Sequence, residues 1–364
     1  MAGKSRHMYP GNNTPEGFFS YYNYILSQEE ANRIFCIKGG PGVGKSTFMK
    51  RIGEEMLQQG HDLDFMHCSS DNNSLDGIVI RDLGIALVDG TSPHIVDPLH
   101  PGAVDSILHL GEFWNEDGIR SNKDHVLAIN KKLKSIFHKA YNYLGAAGKI
   151  YDNLAAIQEE ALQKEELYKL AARILHEELA HKEISSRHGE IKKYFASAIT
   201  PGGMVHELDS LIAGTSKLYL MHLPVGLGAE KLLQLFLEGC LYRGFRVEAF
   251  YCPLRPSTKL EHLLIPELSL AFVSSNQYHT PGLSSYEGTV VHLNLTDLLD
   301  RSKVAYASDI AKDSQTRLED LLHQTVECLR QAKSEHDLLE EIYIPNMDFQ
   351  RMEVYRKEIM RKWI

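Results

Sequence analysis

Gly39-Gly40-Pro41-Gly42-Val43-Gly44-Lys45-Ser46-Thr47 is the stretch on which the reading of this chain turns. It satisfies G-x-x-x-x-G-K-[ST] in full, with an apolar strand pattern at Arg33–Lys38 before it and helical periodicity over Lys45–Gln59 after it. Glycines let backbone N–H groups turn inward around a phosphate, where side chains would stand in the way. The helix N-terminus brings its positive dipole end to the same point. Lys45 is placed to reach the β- and γ-phosphates, and the Ser46 hydroxyl to ligate Mg²⁺. The expected ligand is therefore a nucleoside triphosphate with magnesium, ATP in the first instance, bound by residues 39–47.

A magnesium site also needs a carboxylate at the end of a neighbouring strand. Asp89 ends the run Leu83-Gly-Ile-Ala-Leu-Val-Asp and is expected to serve the metal together with Ser46. Lys45 and Asp89 are thus the expected catalytic groups. The residue after Asp89 is Gly90, so the glutamate that many P-loop hydrolases place there to activate water is missing. Asp71, Asp76 and His94 are the nearby alternatives. Asp71 and Asp76 follow the second strand, where P-loop kinases carry a carboxylate, although an Asn/Asp-rich turn reads the same way.

Outward from this loop the chain repeats itself. Thr14-Pro15-x-Gly17 recurs as Thr200-Pro201-x-Gly203, a shift of 186. Gly42, Gly44, Gly60 and Cys68 recur as Gly226, Gly228, Gly244 and Cys252, a shift of 184. Ile80, Leu83, Ala86, Val88 and His94 recur as Ile265, Leu268, Ala271, Val273 and His279, a shift of 185. Leu133, Leu144, Asp152, Leu154 and Ile157 match Leu318, Leu329, Asp337, Leu339 and Ile342 at the same 185. A tandem duplication explains this order. Apolar strands alternating with helices predict two α/β units with parallel, P-loop-like sheets.

Each unit is followed by helical sequence, read as a hairpin: Asp124–Leu144 and Tyr151–Ile184, with a turn at Gly145–Gly148, then Ser314–Lys333, Glu335–Ile342 and Phe349–Trp363. The expected boundaries are 1–118, 119–198, 199–312 and 313–364. In the second half Leu223, Ala229, Glu230 and Ser274 stand where the first has Gly39, Lys45, Ser46 and Asp89. Without the ammonium, the hydroxyl and the strand-end carboxylate, this half is expected to bind no triphosphate. His279, retained there, argues that His94 is structural.

Composition narrows the rest. The 364 residues carry a net charge of −9, which gives no nucleic-acid signal. No apolar run approaches the ~20 residues of a membrane span, and Met1–Met8 lacks an apolar segment for secretion. Five cysteines without a Cys-x-x-Cys pair read as buried thiols of a cytoplasmic protein. The 18 histidines are scattered, with His176, His181 and His188 on a solvated helix, so no transition metal is expected. The basic tail Arg351–Trp363 reads as a solvated helix end.

The chain resembles a poorly characterised family of bacterial tandem P-loop ATPases, mostly of spore-forming Firmicutes. The resemblance rests on residues 39–47, on Val88-Asp-Gly-Thr-Ser-Pro-His94 and on the Leu339–Phe349 stretch with Ile-Pro-x-Met-Asp-Phe. It implies an ATP-binding, ATP-hydrolysing cytoplasmic protein whose second half often keeps its own phosphate loop; here that loop is lost. An ATPase or ATP-dependent switch is the first reading. A small-molecule or nucleotide kinase and a nucleotide-sensing scaffold are the alternatives. Only Arg81 and Arg120 follow the loop helix in the first half, few for a kinase lid. A protein partner is left open.

Overall fold

The computed structural model describes residues 2–91 and 95–364. His94 lies outside the described residues. In the first half the chain forms Ser5–Met8 (β1), Gly11–Thr14 (β2), Gly17–Ser20 (β3), Arg33–Lys38 (β4), Lys45–Gln59 (α1), Leu63–His67 (β5), Leu75–Ile80 (β6), Ile85–Asp89 (β7) and Asp105–His109 (β8). Helices Glu116–Arg120 (α2), Lys123–Ala161 (α3) and Lys164–Leu179 (α4) follow. The second half runs Ile191–Tyr194 (β9), Ser197–Thr200 (β10), Gly203–His206 (β11), Leu208–Ile212 (α5), Lys217–His222 (β12), Glu230–Leu241 (α6), Val247–Cys252 (β13), Arg255–Ile265 (β14), Leu270–Ser275 (β15) and Thr289–Asn294 (β16). It closes with Arg301–Tyr306 (α7), Ser308–Tyr343 (α8) and Phe349–Trp363 (α9).

Two sheets have six strands each, in the orders β1-β5-β6-β7-β4-β8 and β9-β13-β14-β15-β12-β16, and β2-β3 and β10-β11 form separate antiparallel pairs. Strand for strand these are the same order. The sheets are mixed rather than parallel, because β6 and β14 run antiparallel to both neighbours. Only Arg81–Gly84 separates β6 from β7, too few residues for the crossover that a parallel pair needs. Gly84, at φ +61, takes the left-handed conformation in that turn.

The halves meet about an axis that relates equivalent residues. Tyr9 and Phe195 exchange backbone hydrogen bonds of 2.9 Å. The Asn12 and Asn13 amides donate to the carbonyls of Ser197 and Ile199. Met8, Ile34 and Val88 share one buried cluster with Leu220, Phe250 and Val273, so a single core joins both sheets. Arg6 of β1 pairs with Asp64 of β5 and with Glu248 of β13.

The helical segments differ from the expected hairpins. Helix α3 runs unbroken through Gly145–Gly148. Gly148 serves close approach, since a Cβ there would lie 2.9 Å from the Pro15 ring and 3.1 Å from Arg255 Nη1. Helix α3 pairs antiparallel with α8: Lys132 meets Glu335 near one end, and at the other Lys303 of α7, just before α8, donates to the Glu160 carbonyl. Ile129, Leu133 and Ile136 pack with Ala332 and Leu339 along the seam.

The shorter helices are exchanged. Helix α4, from the first half, buries Leu167, Ala171 and Ile174 in a cluster with Leu233, Phe236 and Leu237 of α6. Helix α9, from the second half, buries Met352 and Ile359 in the cluster of Phe48, Met49 and Ile52 of α1. Burial of a side chain of that size contributes on the order of 1.5–3 kcal/mol. The tail is therefore not a solvated helix end. Arg356 ties it further to Glu55 of α1.

Candidate functional site

The glycine loop leaves the C-terminal end of β4 and enters α1 at Gly44. Gly42 (φ +66) and Gly44 (φ +86) hold left-handed conformations that side chains disfavour. Val43 is fully buried, and its Cγ2 would stand 2.7 Å from a Cβ on Gly39. Thr47 is exposed, whereas Ser46 and Lys45 are half-buried.

Lys45 folds back over the loop, donating to the Gly40 carbonyl at 2.8 Å and to that of Gly39 at 3.4 Å. Strand β7 lies beside β4 with Asp89 opposite Ile37, which puts the Asp89 Oδ2 3.6 Å from Lys45 Nζ. The Asp89 Oδ1 accepts from the Thr91 N–H and hydroxyl. The Ser46 Oγ accepts from the Leu75 N–H at 3.0 Å, linking the loop to the start of β6. Lys45 and Asp89 thus meet at the C-terminal ends of β4 and β7, with Ser46 next to Lys45 at the start of α1. An ammonium, a hydroxyl and a carboxylate in this arrangement can hold a phosphate chain and a hydrated divalent cation.

Asp71 and Asp76 behave differently from each other. Asp76 is 3% exposed on β6 and belongs to the core. Asp71 sits in the turn after β5, where its Oδ1 caps the Asn73 N–H and its Oδ2 lies 3.5 Å from Lys333 Nζ. Arg81 pairs with Asp62 and Asp64 instead of reaching the loop, so it is no lid arginine. Lys38, which the motif does not include, donates to the Gly90 and Val96 carbonyls and to Asp97, holding the segment after Asp89.

The second half's helices lie directly on this loop. Atoms of the Tyr343 ring would stand 2.7 Å from a Cβ on Gly40, the Glu340 Cα 3.1 Å from one on Gly42, and Met352 Cε 3.1 Å from one on Gly44. The glycines thus admit the ends of α8 and α9. His336, one turn before Glu340, is pushed toward the neutral form first by burial, with the charges of Lys333 and Lys45 adding to it. No spacing in the sequence announced this contact, because it joins residues some 300 positions apart.

In the second half the corresponding loop is filled. Leu223, Val225, Leu227 and Ala229 are buried. A Cβ on Gly226 would meet the α3 backbone at Leu154, 2.8 Å away. The Glu230 carboxylate lies over Gly228, and burial raises its pKa. The Ser274 hydroxyl, at the position equivalent to Asp89, donates to the Glu261 carbonyl. Beneath the loop is a fully buried group. Burial works against the charge of Lys259, yet Tyr151, Cys252 and Glu261 hold its pKa well above the usual range, and it bonds to the Tyr151 hydroxyl.

Glu261, His262 and His279 converge there, with ligand-type atoms within 4.8 Å of one another. Glu261 Oε2, His262 Nε2 and His279 Nδ1 have no hydrogen-bond partner. The outer nitrogens decide what fits. His262 Nδ1 accepts from the Ser274 N–H at 3.1 Å, so the neutral ring carries its proton on the inner Nε2. The Asn276 oxygen already accepts from Tyr278 N, so its amide nitrogen donates to His279 Nε2 and leaves the proton on the inner Nδ1. Metal-bound imidazoles show the reverse, a lone pair inward and an N–H outward. With Lys259 alongside, this group suits a water bridging two N–H donors and a carboxylate rather than a cation.

Fold and site define an α/β protein of two like halves with one polar loop site. A family model described as Nephrocystin 3, N-terminal, a domain found in P-loop-related proteins, matches residues 18–86. That stretch spans the glycine loop, α1 and β4 to β6, and stops short of Asp89. No curated protein and no solved structure matches the chain. No described helix is long and apolar enough to cross a membrane.

Proposed function

We propose that this chain binds one MgATP, in its first half, and acts as an ATPase or ATP-dependent switch whose second half is a non-binding counterpart. The observation that carries the reading is the gathering of Lys45, Ser46 and Asp89 around a left-handed glycine loop in one half, against Ala229, Glu230 and Ser274 in the other. Lys45 would leave the Gly39 and Gly40 carbonyls for the β- and γ-phosphates, which have stronger charge to offer it. Ser46 and Asp89 would hold Mg²⁺.

The switch follows from what covers the loop. Because α8 and α9 belong to the opposite half, a change at the loop on nucleotide binding would be felt across the whole molecule. A tandem P-loop ATPase of the kind the motifs resemble fits this arrangement. A cytoplasmic location is also part of the proposal, supported by the unpaired, mostly buried cysteines. Amide hydrogen exchange with and without MgATP tests it. Residues 39–47 and 333–352 should change protection together. Unchanged exchange in 333–352 on saturating nucleotide would count against the switch.

A further inference from the structure

Aligning the two halves through their own repeat shows what each long helix brings to the loop it covers. Helix α3 meets the closed loop at Leu154 and Ala155, and helix α8 meets the open one at Glu340; Gly148, Tyr151, Asp152 and Ala155 of α3 stand where α8 has Lys333, His336, Asp337 and Glu340, each 185 residues on. The first-half loop residue Asp71 and its repeat equivalent Arg255 each pair with a long helix, but from different positions: Lys333 of α8 stands beside Asp71, whereas Arg255 pairs with Asp152 of α3, whose own equivalent is Asp337. Lys333 is thereby accounted for as structure.

The remaining differences lie on the face packed on the loop, where Tyr151 and Ala155 are replaced by His336 and Glu340. His336 Nδ1 lies 3.5 Å from Glu340 Oε1, and the Lys45 charge acts on this imidazole. Among the described residues, the other carboxylates considered for the first-half site are sealed or engaged. Gly90 follows Asp89, Asp76 is sealed in β6, Asp71 is held by Lys333, and Asp89 is engaged by Thr91 and Lys45. Glu340 stands against Gly42 and is about a third exposed, so water can reach it.

We infer that Glu340 is the base for ATP hydrolysis, supplied to the first-half site by the helix of the second half; this rests on the MgATP reading above. The water oxygen forms a bond to the γ-phosphorus as the bond from that phosphorus to the β,γ-bridging oxygen breaks. The water proton passes to the Glu340 carboxylate, and the electron pair of the broken bond leaves on the ADP oxygen, opposite the Lys45 ammonium. Glu340 then returns its proton to solvent. Neutral His336 positions the carboxylate. Supplying the base from the opposite half makes turnover depend on how the halves are docked.

Single-turnover hydrolysis of MgATP and equilibrium binding of a fluorescent ATP analogue, both on the full chain, test this in wild type, Glu340→Gln and Ala155→Glu. Glu340→Gln should bind the analogue within about threefold of wild type while hydrolysis falls about 100-fold or more. Ala155→Glu, on the closed loop, should leave the rate unchanged. Wild-type hydrolysis by Glu340→Gln overturns the assignment, as does a wild-type protein that binds the analogue without hydrolysing ATP. A wild type that binds no nucleotide removes the MgATP reading itself, and the base with it.

Discussion

Lys333 Nζ lies 3.5 Å from Asp71 Oδ2, joining a helix of the second half to a loop of the first. In the other half Arg255, at the repeat position of Asp71, pairs with Asp152 of α3, so each long helix is tied by an ion pair to the opposite half. Lys333 and Asp71 keep 28% and 30% side-chain exposure, so solvent screens the pair. A double-mutant cycle on Lys333→Ala and Asp71→Ala should give a coupling of roughly 0.2–1 kcal/mol in urea unfolding. Zero coupling would make the contact incidental.

Asp89 and Asp76 should separate function from folding. Asp89→Asn removes a carboxylate 3.6 Å from Lys45 and should weaken Mg²⁺-dependent ATP binding about tenfold or more, with little change in melting temperature. Asp76→Asn alters a buried core position and should lower the melting temperature while the Mg²⁺ dependence survives. If Asp76→Asn alone abolished activity and Asp89→Asn matched wild type, a kinase-like site around β6 would replace this account.

Much of this is legible in the sequence. The 185-residue repeat anticipated two sheets with one strand order, and the motif at 39–47 with Asp89 named the groups that converge. Strand direction was not legible in the same way. Leu75–Ile80 is fully buried yet follows an Asn/Asp-rich turn, and its short link to β7 was the available sign of an antiparallel meander. Gly145 and Gly148 read as a turn because glycine usually breaks helices, whereas Gly148 is there to let α3 pass Pro15 and Arg255. Nor does amphipathicity say which sheet a helix will cover. The exchange of α4 and α9 lives in the packing of Leu167 and Met352 against the opposite half. For the same reason Glu340 carried no signal in the local sequence.

The buried histidines give the protein an acid sensitivity of known sign. Burial, with the neighbouring His279, lowers the His262 pKa to about 3, so the folded state keeps this ring neutral. Between that value and the ordinary 6.5 the unfolded chain binds the extra proton. The stability His262 contributes is therefore complete above about pH 6.5 and is lost as pH falls, by up to about 1.4 kcal/mol per unit. His262→Asn keeps an acceptor for the Ser274 N–H and cannot titrate. Its melting temperature should fall less between pH 7 and pH 5 than that of wild type. Equal slopes would show that the ring does not titrate on unfolding.

Gly226 offers a test of the closed loop as a structural abutment. Its φ is +93, and a Cβ would press on the α3 backbone at Leu154. Gly226→Ala should cost roughly 1–3 kcal/mol of stability and leave ATP affinity unchanged. Loss of ATP binding in a folded Gly226→Ala protein would mean that the second loop takes part in binding.

The central claim is that one half binds MgATP and the other does not. Isothermal titration of the full chain with ATP and Mg²⁺, for wild type, Lys45→Ala and the reconstructed Ala229→Lys, measures this directly. The stoichiometry should be one per chain in wild type, none in Lys45→Ala, and still one in Ala229→Lys, because the Glu230 carboxylate and buried Leu223 and Leu227 continue to fill the second loop. Two equivalents in wild type, or undiminished binding in Lys45→Ala, would contradict it.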